Sequence, residues 1–369
     1  MFMHLELTGK CNLGCAHCYN EVYNLPSTKS KELTHQEWLR LIEEANALQC
    51  ERFNFSGGEP LLYQRGNCDM LIELINACNA PVILLTNGHL LTKDRFKKLV
   101  GTGKLRAIRL SLDGFNSHDS FRGNGNHQLV LERIRMVKEE SEIPLAVVTM
   151  INNSNMDDIL PLYQRLKVLG INWWNLDIPF SSDLYKKAPA EFGIPPYFKV
   201  IAMVKELLKL YLEDKRPFRL GIANIYKSQI ASVPYHEFDI NMHPCCYRDI
   251  VCVKPNGDVN VCAAYNLKTA HVGEGTSLKV AYSTSKGNPF YSMKVREISE
   301  CVSCRYLRIC GGGCRADSQY LTGSIFSPDP KCCSLLPLVE KEILPILPAE
   351  ERDSFMSLCN LFGVAPPSF

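Results

Sequence analysis

Short apolar or β-branched runs alternate with helical periodicity from the start of the chain to about residue 180. This alternation is typical of successive β-α units around a parallel sheet. The predicted strands are Met3–Thr8, Arg52–Ser56, Pro81–Thr86, Arg106–Asp113, Leu145–Asn152 and Ile171–Ile178. The predicted helices are Met70–Ala77, Lys93–Val100, Leu129–Glu140 and Asp157–Leu169, after an earlier helix that Thr34 and Glu37 open as a capping box. Six units cannot close an eight-stranded barrel, so the pattern predicts an α/β fold, either a partial (β/α)6 barrel or an open doubly wound sheet.

Alternation within the strands distinguishes these two folds. In the fourth strand Arg109, Ser111 and Asp113 share one face, opposite three apolar residues. The same split occurs at Arg52, Asn54 and Ser56, at Trp173, Asn175 and Asp177, and at Glu6 and Thr8. A parallel sheet covered by helices on both sides is apolar on both faces. The pattern therefore favours a partial barrel whose lumen holds a polar ligand, with an open sheet that has one wet face as the alternative.

The rest of the chain departs from this rhythm. We divide the sequence into a barrel (1–180), a bridging region (181–244), a cysteine-rich module (245–333) and a tail (334–369). The bridge is rich in proline and aromatic residues around a predicted helix, Tyr197–Leu212, and we expect it to contact substrate. The module contains a turn at Pro255-Asn256-Gly257-Asp258, and the tail is predicted helical over Leu335–Leu347 and Glu350–Phe362.

Composition then excludes several classes of protein. The chain has 41 Lys+Arg against 39 Asp+Glu, a net charge of +2, so nucleic acid is not an expected partner. No apolar run reaches the roughly 18 residues of a membrane-spanning helix, so no membrane partner is expected. The first nine residues do not resemble a secretory signal, and we expect a cytoplasmic, reducing setting. There, the 17 cysteines among 369 residues are expected to bind metal or do chemistry rather than form disulfides.

Three of these cysteines, Cys11, Cys15 and Cys18, follow the first predicted strand with the spacing C-x3-C-x2-C. Three thiolates leave one position of a four-coordinate site open, and an open position indicates catalysis rather than structural support. Zinc is the alternative metal. Apart from His17, however, the loop lacks the histidine or carboxylate ligands of common hydrolytic zinc sites.

The loop resembles that of radical S-adenosylmethionine (radical SAM) enzymes. Further matches follow successive predicted strands: Gly57-Gly58-Glu59-Pro60, Thr86-Asn87-Gly88 and Ser111-Leu112-Asp113-Gly114, with Arg122 just beyond. The resemblance implies a 4Fe-4S cluster on the three cysteines, with one iron left for S-adenosylmethionine. It implies that His17 packs near the adenine, that Gly57, Gly58 and Glu59 meet the methionine amino group, and that Ser111 and Arg122 meet the carboxylate and ribose. Asn87 and Asp113 complete the implied cofactor-binding set.

The same resemblance implies the chemistry. The cluster donates one electron to the sulfonium, which splits into methionine and a 5′-deoxyadenosyl radical, and the radical removes a hydrogen atom from the substrate. The protein contributes positioning and the exclusion of solvent.

The module after residue 245 resembles the SPASM domain that follows the barrel in one radical SAM subgroup. The matching cysteines are spaced Cys246-x5-Cys252-x9-Cys262 and Cys301-x2-Cys304-x5-Cys310-x3-Cys314, and they end at Cys332. The resemblance implies two auxiliary 4Fe-4S clusters, one on Cys246, Cys252, Cys262 and Cys314, the other on Cys301, Cys304, Cys310 and Cys332. Cys245 is an alternative to Cys246, Cys333 is an alternative to Cys332, and a zinc ribbon is the alternative to the clusters.

Six cysteines are then without a ligand role: Cys50, Cys68, Cys78, Cys245, Cys333 and Cys359. Cys78 lies on an apolar helical face, where free cysteine commonly acts as a small hydrophobic residue. Some epimerising relatives use a thiol as a hydrogen-atom donor, which is the functional alternative for any one of these six.

SPASM enzymes mostly modify peptides, so the resemblance implies a maturase that abstracts hydrogen from a ribosomally made peptide to install a crosslink, a thioether or an epimerised residue. Its predicted substrate residues are Trp173, Asn175 and Asp177. The implied partners are the peptide, an electron donor such as flavodoxin or ferredoxin, and a separate leader-peptide-binding protein. Ala263 after Cys262 counts against sulfatase activation, because relatives with that activity carry an aspartate base there. The alternatives are a dehydrogenase or epimerase of a sugar or cyclitol, and a non-catalytic electron carrier.

Overall fold

The computed structural model describes residues 1–15, 18, 31–181, 189–223, 225–227, 238–245, 249–273, 275–359 and 363–368. The chain forms two compact units, each built from two separate stretches. The first unit contains Met1–Val148 and Tyr247–Tyr291, and the second contains Thr149–Cys246 and Ser292–Phe369. The domain limits predicted after residues 180, 244 and 333 stay a prediction.

Eleven strands are found in the described residues. They are β1 (Phe2–Glu6), β2 (Arg52–Ser56), β3 (Val82–Thr86), β4 (Leu105–Ser111), β5 (Leu145–Met150), β6 (Trp173–Asp177), β7 (Arg219–Ile222), β8 (Tyr226–Lys227), β9 (Ile250–Val253), β10 (Asp258–Asn260) and β11 (Lys268–His271). All six predicted strands are confirmed. The five further strands, β7 to β11, have at most four residues each, too few for period-two alternation to show in the sequence.

The sheet of the first unit runs in the order β11-β10-β9-β1-β2-β3-β4-β5. Its strands from β9 through β1 to β5 pair in parallel, and β10 and β11 close one edge as antiparallel neighbours. In the second unit β7 pairs in parallel with β6 and antiparallel with β8. The predicted α/β class is therefore confirmed, with a mostly parallel sheet.

The main helices connect these strands or form the carboxyl-terminal part. They are α1 (His35–Ala47), α2 (Cys68–Ala77), α3 (Lys93–Gly101), α4 (His118–Arg122), α5 (Asn126–Glu140), α6 (Ile159–Leu169), α7 (Tyr197–Glu213), α8 (Leu278–Lys286), α9 (Arg315–Thr322), α10 (Pro330–Leu338) and α11 (Ala349–Leu358). The predicted capping box is present at α1, where Thr34 and Glu37 each bond the other's backbone N–H. Among the described residues no helix is both long enough and apolar enough to cross a bilayer.

The two-faced strands are also confirmed. On β2 Phe53 and Phe55 are fully buried, whereas Arg52 and Asn54 are partly exposed. On β4 and β6 the apolar residues are likewise the buried ones, and Arg109, Ser111, Trp173, Asn175 and Asp177 are partly exposed. Each strand therefore packs one face against helices and leaves the other for polar groups.

The tail differs from its prediction. Its first helix begins at Pro330 rather than Leu335, because Asp329 caps it by accepting from the Lys331 N–H. Pro337 lies inside this helix, and after Leu338 the chain continues as a π-helical turn over Val339–Ile343. Pro337 has no backbone N–H to donate, so one hydrogen bond of this helix is missing.

Candidate functional site

The three-cysteine loop follows β1 in the first unit. Cys11 is exposed, and Cys15 and Cys18 are partly buried. The loop folds back on itself, since the Cys18 N–H donates to the Cys15 carbonyl at 3.2 Å. His17, the predicted adenine neighbour, lies outside the described residues.

A buried carboxylate joins the ends of β2 and β3 beside this loop. Glu59 is 1% exposed, and its Oε1 accepts from Thr86 Oγ1 at 2.7 Å and from the Leu61 N–H at 3.0 Å. Its Oε2 accepts from the Asn87 N–H at 2.9 Å. Burial raises the pKa of Glu59, and these hydrogen bonds act in the opposite direction. Glu59 thus fixes the position of the Thr86-Asn87-Gly88 turn.

That turn reaches the cysteine loop through Asn87. Its Nδ2 donates to Asn12 Oδ1 at 3.0 Å and lies 3.9 Å from Cys11 Sγ. Asn12 was not singled out in the sequence, because asparagine in a loop is most often a turn residue. The contact shows that the second and third predicted cofactor motifs meet at the first cysteine.

The Gly-Gly turn approaches the same loop through its backbone. The Gly58 N–H donates to the Thr8 carbonyl, and the Glu59 N–H donates to the Lys10 carbonyl, both at 2.8 Å. A Cβ on Gly58 would lie 2.3 Å from the Lys10 carbonyl oxygen, and Gly57 has a φ of +133°. Only glycine fits both positions, so this pair lets the chain pack directly against the start of the cysteine loop.

Arg122, at the end of α4, forms the other side of the site. Its Nε donates to Asp113 Oδ2, and its Nη1 lies 3.8 Å from Cys15 Sγ. Asp113 is fully buried. The Asp113 N–H donates to His118 Nδ1 at 3.0 Å, so the neutral His118 ring carries its proton on Nε2. Asp113 therefore supports Arg122, and His118 supports Asp113.

These residues fit an iron–sulfur cluster with an open position. Three thiols lie in one loop, and N–H groups of Asn87 and Arg122 approach two of the sulfurs. Such donors next to thiolates are a known means of tuning cluster potential. Ser111, the last residue of β4, is partly exposed.

Comparison with known proteins agrees with this geometry. Residues 5–166 match the model of the Radical SAM superfamily. The chain carries a radical SAM domain. It is 27% identical over 342 residues to an AdoMet-dependent heme synthase of Methanosarcina barkeri. The alignment covers 89% of this chain and 94% of that relative. It is 25% identical over 359 residues to a PqqA peptide cyclase of Bradyrhizobium diazoefficiens, which covers 91% of this chain and 86% of the relative.

Among solved structures, anSMEcpe with bound AdoMet and Kp18Cys peptide has the same fold, with a TM-score of 0.70 at 17% identity. The match covers 93% of this chain and 96% of that one. Residues 5–166 thus form a radical SAM domain, and the family of that domain binds a 4Fe-4S cluster and S-adenosylmethionine.

Several cysteines of the second unit line one cavity: Cys301, Cys304, Cys310 and Cys333. Cys332 is buried, and its free thiol neighbours that of Cys310, which together with burial raises the pKa of Cys332. Burial and the neighbouring Cys310 and Cys304 raise the pKa of the Cys301 thiol to about 12, and Arg315 acts in the opposite direction. Crowded thiols of this kind fit a metal cluster, because bound iron compensates the thiolate charges.

The other predicted auxiliary ligands are divided between the units. Cys252, on β9, and Cys262, after β10, belong to the first unit. Cys314 belongs to the second unit, and Cys246 lies outside the described residues. This ligand set stays a prediction.

The predicted substrate residues share one face of β6 in the second unit. Trp173, Asn175 and Asp177 are all partly exposed. Gly221, on the neighbouring β7, leaves room for them, since a Cβ there would lie 2.9 Å from Asn175 Oδ1.

A polar cluster on β1 and β9 was missed in part. Lys254 Nζ donates to the fully buried Glu6 at 2.7 Å, and ligand atoms of His4, Glu6 and Cys252 lie within 4.8 Å of one another. Period-two alternation places Glu6 and His4 on one face, but nothing in the sequence indicates that β9 pairs with β1. The Lys254 ammonium already supplies positive charge at Glu6, so we assign no metal ion here.

A second missed feature ties the loop after β6 to the cysteine-rich part. Lys331 Nζ donates to Asp317 Oδ1 at 2.8 Å and to the Pro179 carbonyl at 2.6 Å. The Ser181 N–H donates to the same Asp317 oxygen at 2.8 Å. Both charged side chains are about 6% exposed, so the pair is a buried anchor rather than a surface ion pair.

Of the cysteines without a predicted ligand role, Cys78 is fully buried and donates its S–H to the Leu74 carbonyl. Burial raises its pKa far above that of an ordinary thiol. Its interpretation as a small buried hydrophobic residue is confirmed.

Replacing Glu59 by glutamine should destabilise the first unit. Both carboxylate oxygens of Glu59 accept hydrogen bonds from N–H or O–H groups. The NH2 group of glutamine would face one of these donors, so at least one hydrogen bond would be lost. We expect unfolding free energy to fall by about 1–3 kcal/mol in denaturant titrations of the cluster-free protein. Glu43→Gln, on the exposed face of α1, is the matched control. Equal losses in both variants would contradict this role of Glu59.

His118 should make stability depend on pH. Burial lowers its pKa from 6.5 to about 4, so between those values the unfolded chain binds a proton that the folded chain does not. Stability should therefore fall as pH falls from 6.5 to 4, by about 3 kcal/mol for this residue. His118→Gln should remove that part of the loss in pH-resolved unfolding curves, whereas replacement of the exposed His89 should not. An unchanged pH slope in His118→Gln would refute the assignment.

Proposed function

We propose that this radical SAM enzyme is a maturase of a ribosomally made peptide, in which it installs a crosslink, a thioether or an epimerised residue. The observation that carries the proposal is the 25% identity to a PqqA peptide cyclase over 91% of the chain. That similarity extends through the cysteine-rich part as well as the radical SAM domain. The peptide in the anSMEcpe complex, a structure with the same fold, adds support.

We further propose three 4Fe-4S clusters. The first is held by Cys11, Cys15 and Cys18, whose surroundings fit such a cluster. The second auxiliary set is supported by the cavity that Cys301, Cys304 and Cys310 line, with Cys332 as the fourth ligand and Cys333 as the alternative. The first auxiliary set, Cys246, Cys252, Cys262 and Cys314, is supported by spacing alone.

When bound, the cluster and S-adenosylmethionine supply the radical that abstracts hydrogen. The chain's own residues hold and orient them. The Gly57-Gly58 backbone packs against the start of the cysteine loop, Asn87 approaches Cys11, and Arg122, held by Asp113, presents its guanidinium at Cys15. Ser111 is positioned at the same strand ends, where parallel α/β folds bind ligands.

We assign substrate contact to Trp173, Asn175 and Asp177, with Asp177 as the proton acceptor or donor. The carbonyl of Asp177 also accepts from the Ile151 N–H, which fixes the end of β6. The proposed partners are an electron donor such as flavodoxin or ferredoxin and a separate leader-peptide-binding protein, in the cytoplasm.

A second candidate function is oxidation of a tetrapyrrole. It is favoured by the 27% identity to a heme synthase, which covers 94% of that relative. This candidate is a small-molecule enzyme, as the alternative from the sequence was, but with a different substrate class from the expected sugar or cyclitol.

The substrate test uses the reconstituted enzyme with S-adenosylmethionine, a reductant and short peptides encoded beside its gene. We expect a peptide to lose two mass units or to undergo epimerisation that deuterium from solvent reports. 5′-Deoxyadenosine should form at the same time. A tetrapyrrole precursor of heme is the competing substrate, and its conversion without any peptide modification would overturn the peptide proposal in favour of the second candidate. The Cys11, Cys15 and Cys18→Ala variant is the inactive control.

Iron content tests the cluster assignment. The reconstituted protein should hold about twelve irons, and the variant with Cys11, Cys15 and Cys18 changed to alanine should hold about eight. A colourless protein that contains only zinc would be inconsistent with the assignment.

Iron content also shows which of the adjacent cysteines, Cys332 or Cys333, binds the cluster. Cys332→Ala should lose about four irons because its buried thiol contacts Cys310, whereas the matched Cys333→Ala should keep them. The reverse result would transfer the ligand role to Cys333, which lines the cavity.

A further inference from the structure

Arg315 is a buried positive charge that has no carboxylate partner among the described residues. It is the first residue of α9, directly after Cys314, and it is 2% exposed. Its guanidinium donates only to backbone carbonyls: Nη1 to Ile325 at 2.5 Å and Ser327 at 2.7 Å, Nη2 to Gly312, and Nε to Gly313 at 3.5 Å. In the described part of the chain no aspartate or glutamate pairs with it.

An isolated buried charge is costly, and carbonyl dipoles compensate it only in part. Proteins therefore usually give a buried guanidinium an anionic partner. The other buried cation of this segment, Lys331, has such a partner in Asp317. Arg315 thus requires negative charge from another source.

The cysteine cavity lies next to Arg315 and can supply that charge. Gly312, whose carbonyl accepts from Arg315, lines the cavity together with Cys301, Cys304 and Cys310. The Gly312 carbonyl also accepts from the Asp329 N–H at 3.0 Å, so the bridge between the guanidinium and the cavity wall is fixed on both sides. A cluster held by four thiolates is negatively charged in both of its usual oxidation states.

We propose that Arg315 is the buried counter-charge of the auxiliary cluster at Cys301, Cys304 and Cys310, and that it raises the reduction potential of this cluster. The inference rests on the proposed auxiliary cluster. One-electron reduction adds a negative charge to a site whose Cys301 and Cys304 thiols are buried, and a fixed cation favours that state. Arg315 is a tuning residue and does not contact substrate.

The test separates charge from shape. Arg315→Gln removes the charge but keeps a hydrogen-bond donor for the carbonyls, and Arg315→Lys keeps the charge but loses the planar fork. Both are made with Cys11, Cys15 and Cys18 changed to alanine, so that only auxiliary clusters give paramagnetic signals. Cys304→Ala identifies the signal of the cluster in question. Arg305→Gln is the matched control, since Arg305 lies in the same segment but is paired with Glu340.

In redox titrations followed by electron paramagnetic resonance, we expect Arg315→Gln to lower the reduced-to-oxidised ratio at a fixed potential at least tenfold, about 59 mV for one electron. Arg315→Lys and Arg305→Gln should stay within about threefold of the parent, or roughly 30 mV. The other auxiliary signal serves as an internal reference.

Equal ratios in the parent and Arg315→Gln would overturn the inference, as would equal shifts in the Gln and Lys variants, which would make Arg315 a structural clamp. If Arg315→Gln loses its iron and Arg315→Lys keeps it, the charge is needed to assemble the cluster, which supports the counter-charge. Loss from both variants would overturn it. An iron-free parent with native Arg315 would instead refute the auxiliary clusters themselves.

Discussion

The buried carboxylate of Glu59 joins two neighbouring strand ends that the sequence separates by a whole helix. One of its oxygens accepts hydrogen bonds from the Thr86 hydroxyl and the Leu61 N–H, and the other accepts from the Asn87 N–H. Because Asn87 in turn reaches Asn12 and Cys11, this side chain helps to place the cysteine loop relative to the sheet, together with the backbone bonds from Gly58 and Glu59 to that loop. Burial of an acid is unfavourable unless its acceptors are satisfied, and here every donor comes from the site itself. The geometry of the cofactor site is thus coupled to the folding of the first unit.

The cysteine-rich part of the second unit depends on buried cations instead. Lys331 is fixed between Asp317 and the Pro179 carbonyl, two residues beyond the end of β6. A buried ion pair adds little net stability, but removal of one partner leaves an uncompensated charge. The pair therefore specifies which conformation the loop after β6 adopts. Asp177 is the last residue of β6, so the Lys331–Asp317 pair also fixes the loop that begins directly after the proposed substrate residues.

The sequence predicts local features well and pairings poorly. Capping residues, two-faced strands and the C-x3-C-x2-C loop depend on neighbours within a few positions, and the structure reproduces the first two closely. The pairing of β9 with β1 joins residues about 250 positions apart, and a four-residue strand carries no pattern that identifies its partner. Lys254 and Glu6 meet only because of that pairing. Arg315 was missed for a different reason, since an arginine in sequence is expected on the surface.

The two units place different positively charged or N–H groups near their cysteine thiols. In the first, Asn87 and Arg122 approach individual sulfurs with N–H groups, and Arg122 is already paired with Asp113, so much of its charge is compensated before any cofactor binds. In the second, the described residues hold Arg315 by neutral carbonyls alone, so its charge remains to act on the cavity. A catalytic cluster must reach a low potential to cleave a sulfonium, which a strong uncompensated cation would oppose. A cluster that relays electrons benefits from a higher potential. The paired Arg122 and the uncompensated Arg315 therefore suit the different potentials that we propose for the catalytic and auxiliary clusters.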